Sequence, residues 1–336
     1  MKTRLAIAAA LCVLVSPFAA LAQAPRDAAQ AIEITSQAIE SFDPREPARS
    51  RFGALTFRGG LVLTSPARDF GGLSSLKIEP DGAHFLSLTD RGNWLRGRIV
   101  YRGTKPIAIA DAEMAPILGP DGKPVRSRRG WYDTESLAAD GSTLYVGIEH
   151  ANEILRFDNV ARDGLRARGQ PIPVPPAVKA LPLNQGIECL AMPARGQPLA
   201  GQLIAISERG LDAARNIVGF LLGAPGGAFA VRRTDDFDIS DCTITPGGDL
   251  LILERRFSWA RGLAIRIRKL ALSGVRPGAL LDGPELFAGD MGQQIDNMEG
   301  IALHRAADGA MVLTLISDDN FSPLQRTILL QFTFDD

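Results

Sequence analysis

Acidic residues recur at the start of short apolar segments along this sequence. Aligned on the stretch GIECL at 186–190, the recurring position holds one serine and four acids about 53 to 61 residues apart: Ser74, Glu135, Glu188, Asp241 and Glu299. A second acid closes the strand-like segment that follows each of them, at Asp90, Glu149, Glu208, Glu254 and Asp318. Like charges held close together raise one another's pKa unless a cation neutralises them. A site built from these acids therefore needs a positive partner.

A divalent cation is one candidate for that partner. Calcium takes roughly six to eight oxygen ligands and suits carboxylates that come from several strands. The sequence predicts a metal site, with Ca²⁺ favoured, whose ligands are Glu135, Glu188, Asp241, Glu299, Asp318 and Asp319. We expect Glu188, Glu299 and His150 to carry catalysis, because carboxylates and an imidazole can move protons near neutral pH.

Arginine is the second candidate. Five arginines directly follow the closing acids or lie near the same strand ends: Arg91, Arg209, Arg255, Arg256 and Arg326. A guanidinium binds carboxylate or phosphate through a planar fork. These residues are therefore predicted to bind an anionic substrate. The alternative is structural, because repeated acids also brace loops and pair with arginines of a neighbouring repeat.

The elements that carry these residues repeat as well. Each unit continues as a short apolar strand, a turn such as EPDGA at 79–83 or AADGS at 138–142, and a longer strand rich in Leu, Ile and Val. Asp-Gly supplies the positive φ angles of a tight hairpin. Units of about 50 to 60 residues with four short antiparallel strands predict an all-β fold, a β-propeller.

The length indicates the number of blades, and a last unit that is one strand short indicates how the ring closes. Five units are visible, and the length favours six blades, with five as the alternative. The strand-like run 32–39 is predicted to close the ring by joining the last blade, which would remove an exposed edge. The hairpin at 52–65 is assigned to the first unit or to a sixth, degenerate blade.

The beginning of the chain reads as an export signal. Lys2 and Arg4 precede an apolar run that ends before Ala20-Leu21-Ala22, so residues 1–22 are predicted to be a removed signal peptide and 23–336 one propeller domain. We expect a periplasmic or secreted protein without a membrane anchor after cleavage. With 37 basic and 38 acidic residues, nothing favours nucleic acid as a partner.

Two cysteines stay in the mature chain, Cys189 and Cys242, each directly after one of the aligned acids. Equivalent side chains of successive blades point the same way around a ring. A pair of free buried thiols is therefore favoured over a disulfide.

Several stretches also resemble one family. They are FGGLSSL at 70–76, TDRG at 89–92, GIECLA at 186–191, LLILERRFS at 250–258, NMEGIAL at 297–303 and SDDNFSPLQRTILLQF at 317–332. These are similar to the phytase-like family, described by an esterase-like activity of phytase. The resemblance implies an exported β-propeller hydrolase that acts on esters, including phosphate esters, with calcium.

The sequence thus predicts a hydrolase of a small anionic ester, phosphate favoured, that uses an activated water. The sequence contains no GxSxG nucleophile motif. Two alternatives stay open, a lactonase-like calcium hydrolase and a non-catalytic propeller that binds a ligand at the same place. The oligomeric state is left open.

Overall fold

A computed structural model describes residues 29–334, so the predicted signal peptide lies outside the described residues. The first eight strands are β1 (Gln30–Ala31), β2 (Thr35–Ile39), β3 (Arg51–Phe52), β4 (Leu55–Thr64), β5 (Leu73–Ile78), β6 (His84–Thr89), β7 (Asn93–Arg102) and β8 (Lys105–Pro116). The next eight are β9 (Thr134–Asp140), β10 (Thr143–Ile148), β11 (Glu153–Phe157), β12 (Gln170–Pro171), β13 (Ile187–Ala191), β14 (Leu203–Leu211), β15 (Ile217–Leu222) and β16 (Gly227–Val231). The last eight are β17 (Asp238–Ile244), β18 (Asp249–Ser258), β19 (Gly262–Ala271), β20 (Leu280–Leu281), β21 (Glu285–Asp290), β22 (Asn297–Arg305), β23 (Met311–Asp318) and β24 (Thr327–Phe334).

Helical structure in the described chain is short. The α-helices are α1 (Val160–Asp163) and α2 (Pro176–Lys179), and single 3₁₀ turns lie at Val125–Ser127, Gly164–Arg166 and Leu272–Gly274. Within residues 29–334, no helix has the length and apolar character needed to cross a bilayer.

The strands form five sheets, which are the blades of a propeller. Their strand orders are β1-β8-β7-β6-β5, β12-β11-β10-β9, β13-β14-β15-β16-β20, β17-β18-β19-β21 and β2-β4-β24-β23-β22. The inner strands β5, β9, β13, β17 and β22 contact one another in that cyclic order, and β22 returns to β5. The all-β propeller is confirmed, but the favoured count of six blades is wrong and the ring has five.

The difference in blade count arises in the fifth blade. This blade contains the hairpin at 52–65, which the sequence assigned to the first unit or to a sixth blade. Strand β4 pairs antiparallel with the C-terminal strand β24, from Leu55 opposite Phe334 to Leu63 opposite Thr327. The predicted closing role of the run 32–39 is not confirmed, because β2 pairs with β4 at the outer edge and not with β24. No strands are then left over for a sixth sheet in the described chain.

Apolar packing fills the gaps between blades. Between blades four and five, for example, Leu253 and Ile267 pack in one cluster with Leu315 and Leu330. Similar clusters join each other pair of neighbouring blades, including the fifth and the first. Because apolar burial is the main favourable term in folding, these five interfaces hold the ring together and fix the direction of each inner strand.

Every inner strand carries a β-bulge at the same place. The pairing with the second strand skips one residue per blade: Ser74, Glu135, Glu188, Ser240 and Glu299. We call these five residues the bulge ring. A bulge leaves the extra residue unpaired and re-aims its side chain. In blade four the equivalent position is Ser240, so the alignment on Asp241 is wrong by one residue.

The second strands show the same one-residue shift. On each second strand, one residue hydrogen-bonds to, or pairs in register with, the position two before the bulge. We call these residues the strand-end ring: Asp90, Glu149, Glu208, Arg255 and Asp318. Blade four therefore contributes Arg255 and not Glu254. Glu254 is fully buried and binds Arg266 and Arg268 at 2.7 Å each, so it is a structural acid.

Hydroxyl contacts between blades support the corrected register independently. Ser74 Oγ donates to the carbonyl of Thr134 at 2.5 Å, and Ser240 Oγ donates to the carbonyl of Met298 at 2.9 Å. Both acceptors directly precede the bulge of the following blade. The two serines therefore occupy equivalent positions.

The cysteines form a disulfide, so the prediction of free thiols is wrong. Cys189 and Cys242 are bonded, with their Cα atoms 5.2 Å apart on the neighbouring strands β13 and β17. Cys189 lies one residue after its bulge, whereas Cys242 lies two after. Because successive side chains of a strand point to opposite faces, the two thiols face each other across the gap between blades three and four.

Removing this cross-link tests its contribution to the ring. We expect the double variant Cys189→Ala/Cys242→Ala to lose about 2–4 kcal/mol of unfolding free energy, because the unfolded chain is no longer constrained. Urea unfolding with and without reductant measures it. Reductant should shift the wild-type midpoint down and leave the variant's midpoint unchanged; equal sensitivity of both proteins would contradict the pairing.

Candidate functional site

One mouth of the central channel is an acidic cavity of about 230 Å³. Its lining consists of bulge-ring and strand-end residues with a few loop residues: Asp90, Asp133, Glu135, Glu149, Asn184, Glu188, Glu208, Arg255, Glu299, Asp318 and Asn320. At the other end of the channel, the inner strands present mostly apolar side chains, such as Leu76, Leu190 and Ile301. The charge is therefore concentrated at one mouth.

Arg255 is the one cation in this lining, and it binds carboxylates from two other blades. Its Nη2 lies 3.0 Å from Glu299 Oε1, 3.3 Å from Glu208 Oε1 and 3.9 Å from Glu188 Oε1. Burial by itself would lower the pKa of Arg255, but the surrounding carboxylates raise it above its ordinary value. Arg255 thus stays charged and offsets part of the negative charge of the cavity.

The side of the cavity toward blades two and three has the geometry of a cation site. Carboxylate oxygens of Glu149, Glu188 and Glu208 lie within 4.8 Å of one another. All three side chains are buried, and Glu188 Oε2 has no hydrogen-bond partner. A buried carboxylate oxygen without a partner costs free energy. A hard cation held by oxygen ligands would remove that cost, so these residues fit calcium.

The carboxyl groups of the cavity have raised pKa values. Burial raises the pKa of Asp90 to about 7, and the charge of Asp133 adds to this. Burial likewise raises the pKa of Glu149 to about 8 and that of Asp318 to about 8. It also raises the pKa of Glu188 well above its usual value, with a further contribution from Glu208. Without a cation the cavity therefore retains protons near neutral pH.

The structure brings together four of the six predicted metal ligands: Glu135, Glu188, Glu299 and Asp318. Asp241 instead braces the backbone, where its carboxylate accepts the N–H of Ile301 and of Cys242 at 2.8 Å each. Asp319 accepts the N–H of Gly72 at 3.0 Å and the hydroxyl of Thr327 at 3.1 Å. These two acids lie outside the cavity lining and connect structural elements.

Of the five predicted arginines, Arg255 lines the cavity and the other four do not. Arg209 binds Asp238 at 3.3 Å, and the Arg91 guanidinium lies 3.2 Å from the centre of the Phe321 ring. Arg256 donates to the carbonyl of Asp235, and Arg326 donates to Gln294 and to the carbonyl of Ile295. Their contacts fix loops around the mouth.

His150 also lies outside the cavity lining. Its ring stacks on Tyr132, with ring centres 4.1 Å apart, and its Nε2 is 2.9 Å from the Tyr132 hydroxyl. The adjacent Glu149 points into the cavity instead.

Four cavity acids were absent from the predicted site: Asp90, Asp133, Glu149 and Glu208. Three of them were visible as acids that close the second strands. Sequence alone did not show that these strand ends meet the bulge ring at one level. Asp133 carried no repeat signal, because it lies in the approach to its inner strand.

A family model described as phytase-like, with esterase-like activity of phytase, matches residues 68–321. The chain belongs to the phytase-like family. The match covers all five inner strands and every acid of the cavity lining. A comparison with curated protein sequences finds no match.

Solved structures with similar chains include two bacterial enzymes. One is the glutaminyl cyclase of Myxococcus xanthus, at 14% identity over 81% of this chain and 94% of that one, with a TM-score of 0.41. The other is the PQQ-bound aldose sugar dehydrogenase of Streptomyces coelicolor, at 13% identity over 82% of this chain and 98% of that one, with a TM-score of 0.42.

The first prediction for the site separates a metal ligand from a structural acid. We expect Glu188→Gln to weaken calcium binding on the order of tenfold or more, because the ligand charge sets the affinity of such sites. Asp241→Asn should leave calcium affinity unchanged and lower the unfolding free energy by about 1–3 kcal/mol, because its new amide would face a backbone donor. Calorimetric titration and urea unfolding measure both. Equal calcium affinity in wild type and Glu188→Gln would exclude Glu188 as a ligand.

The second prediction concerns pH in the absence of metal. Asp90, Glu149 and Asp318 keep their protons in the folded protein to about pH 7–8, whereas the unfolded chain loses them near the ordinary carboxyl pKa values of 3.8 and 4.5. The unfolded state thus binds fewer protons in this window, so stability falls as pH rises through it. In chelator, the urea midpoint should be lower at about pH 8 than at about pH 5. Asp90→Asn should reduce that difference; an equal midpoint at both pH values in the wild type would refute the effect.

Proposed function

We propose that this protein hydrolyses a small anionic ester, a phosphate ester in preference to a carboxylic one, at the acidic mouth of its propeller. The observation that carries the proposal is the group of Glu149, Glu188 and Glu208, whose oxygens lie within 4.8 Å of one another beside the ion-paired Arg255. The esterase-like description of the family supports the reaction class.

The charge of the cavity determines how such a substrate would bind. Eight carboxyl groups and one guanidinium line the mouth among the described residues. An anion entering this field is repelled unless cations offset it. We therefore propose that Glu149, Glu188 and Glu208 hold a divalent cation, calcium favoured, which would supply a positive charge for a phosphoryl oxygen. Arg255 would hold Glu208 and Glu299 in place around it.

Proton transfer is assigned to Asp90 and not to His150. The best general base has a pKa near the working pH, and the pKa of Asp90 is about 7. Its Oδ1 is buried without a hydrogen-bond partner, so it is available to a water or a substrate proton. Asp90 would take the proton of the attacking water, and no covalent intermediate forms.

A lactonase-like reaction is the second candidate. The same cation and acids could act on a lactone carbonyl, and a neutral lactone would enter the acidic mouth without repulsion. The high density of carboxyl groups in the lining is the observation that favours it.

We also propose that the protein acts in the periplasm or outside the cell, with a small molecule as its partner. The Cys189–Cys242 disulfide supports this, since disulfides persist in oxidising compartments.

Phosphate release from phytate and from an aryl phosphate tests the function, with calcium and with chelator. Calcium-dependent release is expected, with Glu188→Gln and Asp90→Asn each at least about a hundredfold slower and the folded Asp241→Asn close to wild type. Hydrolysis of a lactone panel without phosphate release would favour the second candidate. No hydrolysis of either class by the calcium-loaded protein would refute both.

A further inference from the structure

Three large apolar side chains stand exposed at one end of blade four. Phe257 is 60% exposed, Trp259 96% and Met291 71%. We call these three residues the blade-four arm. Contiguous exposed apolar surface on a folded protein commonly marks a binding site. The other two tryptophans of the sequence, Trp94 and Trp131, are buried, so the exposure of Trp259 is not a general property of this chain.

Phe257 projects from the same face of its strand as Arg255. Arg255 and Phe257 are both on β18, where they pair with Ile265 and Leu263 of β19. Residues two apart on a strand project from the same face. Since the Arg255 side chain reaches Glu299 in the cavity, Phe257 projects from that face one step further out. Phe257 therefore extends this face of β18 outward from the cavity, and the other two arm residues lie on the turns beyond it.

Local contacts hold the arm in place. The rings of Phe257 and Trp259 pack edge to face with centres 5.5 Å apart. Met291 packs against Gly262 of the same hairpin, because a Cβ at Gly262 would lie 2.7 Å from the Met291 sulfur. Arg261 binds Asp236 at 3.2 Å and ties the hairpin tip to the preceding loop. A surface held in this way loses little conformational entropy when a ligand binds.

We propose that the blade-four arm is a binding subsite for an apolar group of the ester substrate, whose anionic head lies in the acidic cavity. This inference rests on the proposed function and specifies its substrate class as an ester that joins an anionic group to an alkyl or aryl group. Trp259 lies four positions after Arg255, which is at most about 14 Å at the rise of a strand. The apolar group must therefore extend well beyond the ester bond.

Non-hydrolysable phosphonates test the subsite on the calcium-loaded protein. Ethylphosphonate presents the head alone, whereas octylphosphonate adds an alkyl chain and phenylhexylphosphonate adds a chain of similar reach that ends in an aryl group. We expect octylphosphonate or phenylhexylphosphonate to bind at least tenfold more tightly than ethylphosphonate, since each buried methylene adds to affinity. Calorimetry gives the affinities. Tryptophan emission should shift to shorter wavelength with the apolar ligands alone, because Trp259 becomes covered. The alkyl and aryl arms show which group the surface prefers.

Variants of the arm test whether it causes the higher affinity for the apolar phosphonates. Trp259→Ala and Phe257→Ala should remove the preference for the apolar phosphonates and leave ethylphosphonate affinity unchanged. Leu280→Ala is the matched control, because Leu280 is a half-exposed apolar residue on β20, the outermost strand of blade three. Phe257 and Trp259 are both exposed, so these variants should fold.

The outcomes separate this inference from the proposed function. If ethylphosphonate binds and the apolar phosphonates bind no more tightly, or if the arm variants keep the preference, the subsite is refuted and the head site stands. If the apolar phosphonates bind through the arm while ethylphosphonate does not bind, the phosphate head is refuted and the subsite stands. If no phosphonate binds, both are refuted.

Discussion

The ion pairs of Arg255 are the interaction on which the acidic mouth depends. Buried carboxylates from blades three and five point at one another across the channel, and the guanidinium from blade four lies between Glu208 and Glu299. Taking such charges out of water is costly, and removing one partner of a buried pair leaves the others uncompensated. In the strand-end ring one blade therefore carries a cation where the other four carry acids, and this cation offsets part of their charge.

The bulges explain how one position of each blade came to serve the site. A regular strand would turn alternate residues toward the core, but the extra residue of a bulge is free to point into the channel. In three blades that residue is a glutamate, and in two it is a serine that binds the next blade's backbone. The bulge thus provides either a carboxylate that lines the channel or a hydroxyl that links two blades. Blade four has the serine together with Arg255 and the exposed hairpin, so it differs from the others in charge, in contacts and in surface.

Much of the fold could be predicted from the sequence, because each blade is built from local contacts. Hairpin turns, strand length and the repeat of about 53 to 61 residues are properties of neighbouring residues, and they predicted the strands and the propeller. The number of blades was wrong because the pairing of β4 with β24 joins residues more than 260 positions apart. No local pattern states which distant edge a strand will join.

The sequence by itself determined that five units repeat and that each carries acids, and it predicted Glu135, Glu188, Glu299 and Asp318, which the structure brings together in one cavity lining. Only the tertiary structure decided the register in blade four. There a shift of one residue replaced Asp241 by Ser240 and Glu254 by Arg255, and it turned Cys189 toward Cys242. The physical reason is the two-residue period of a strand, because one inserted residue reverses the face of every side chain after it. A bulge is defined by pairing with another strand, so the sequence of one strand does not reveal where it lies.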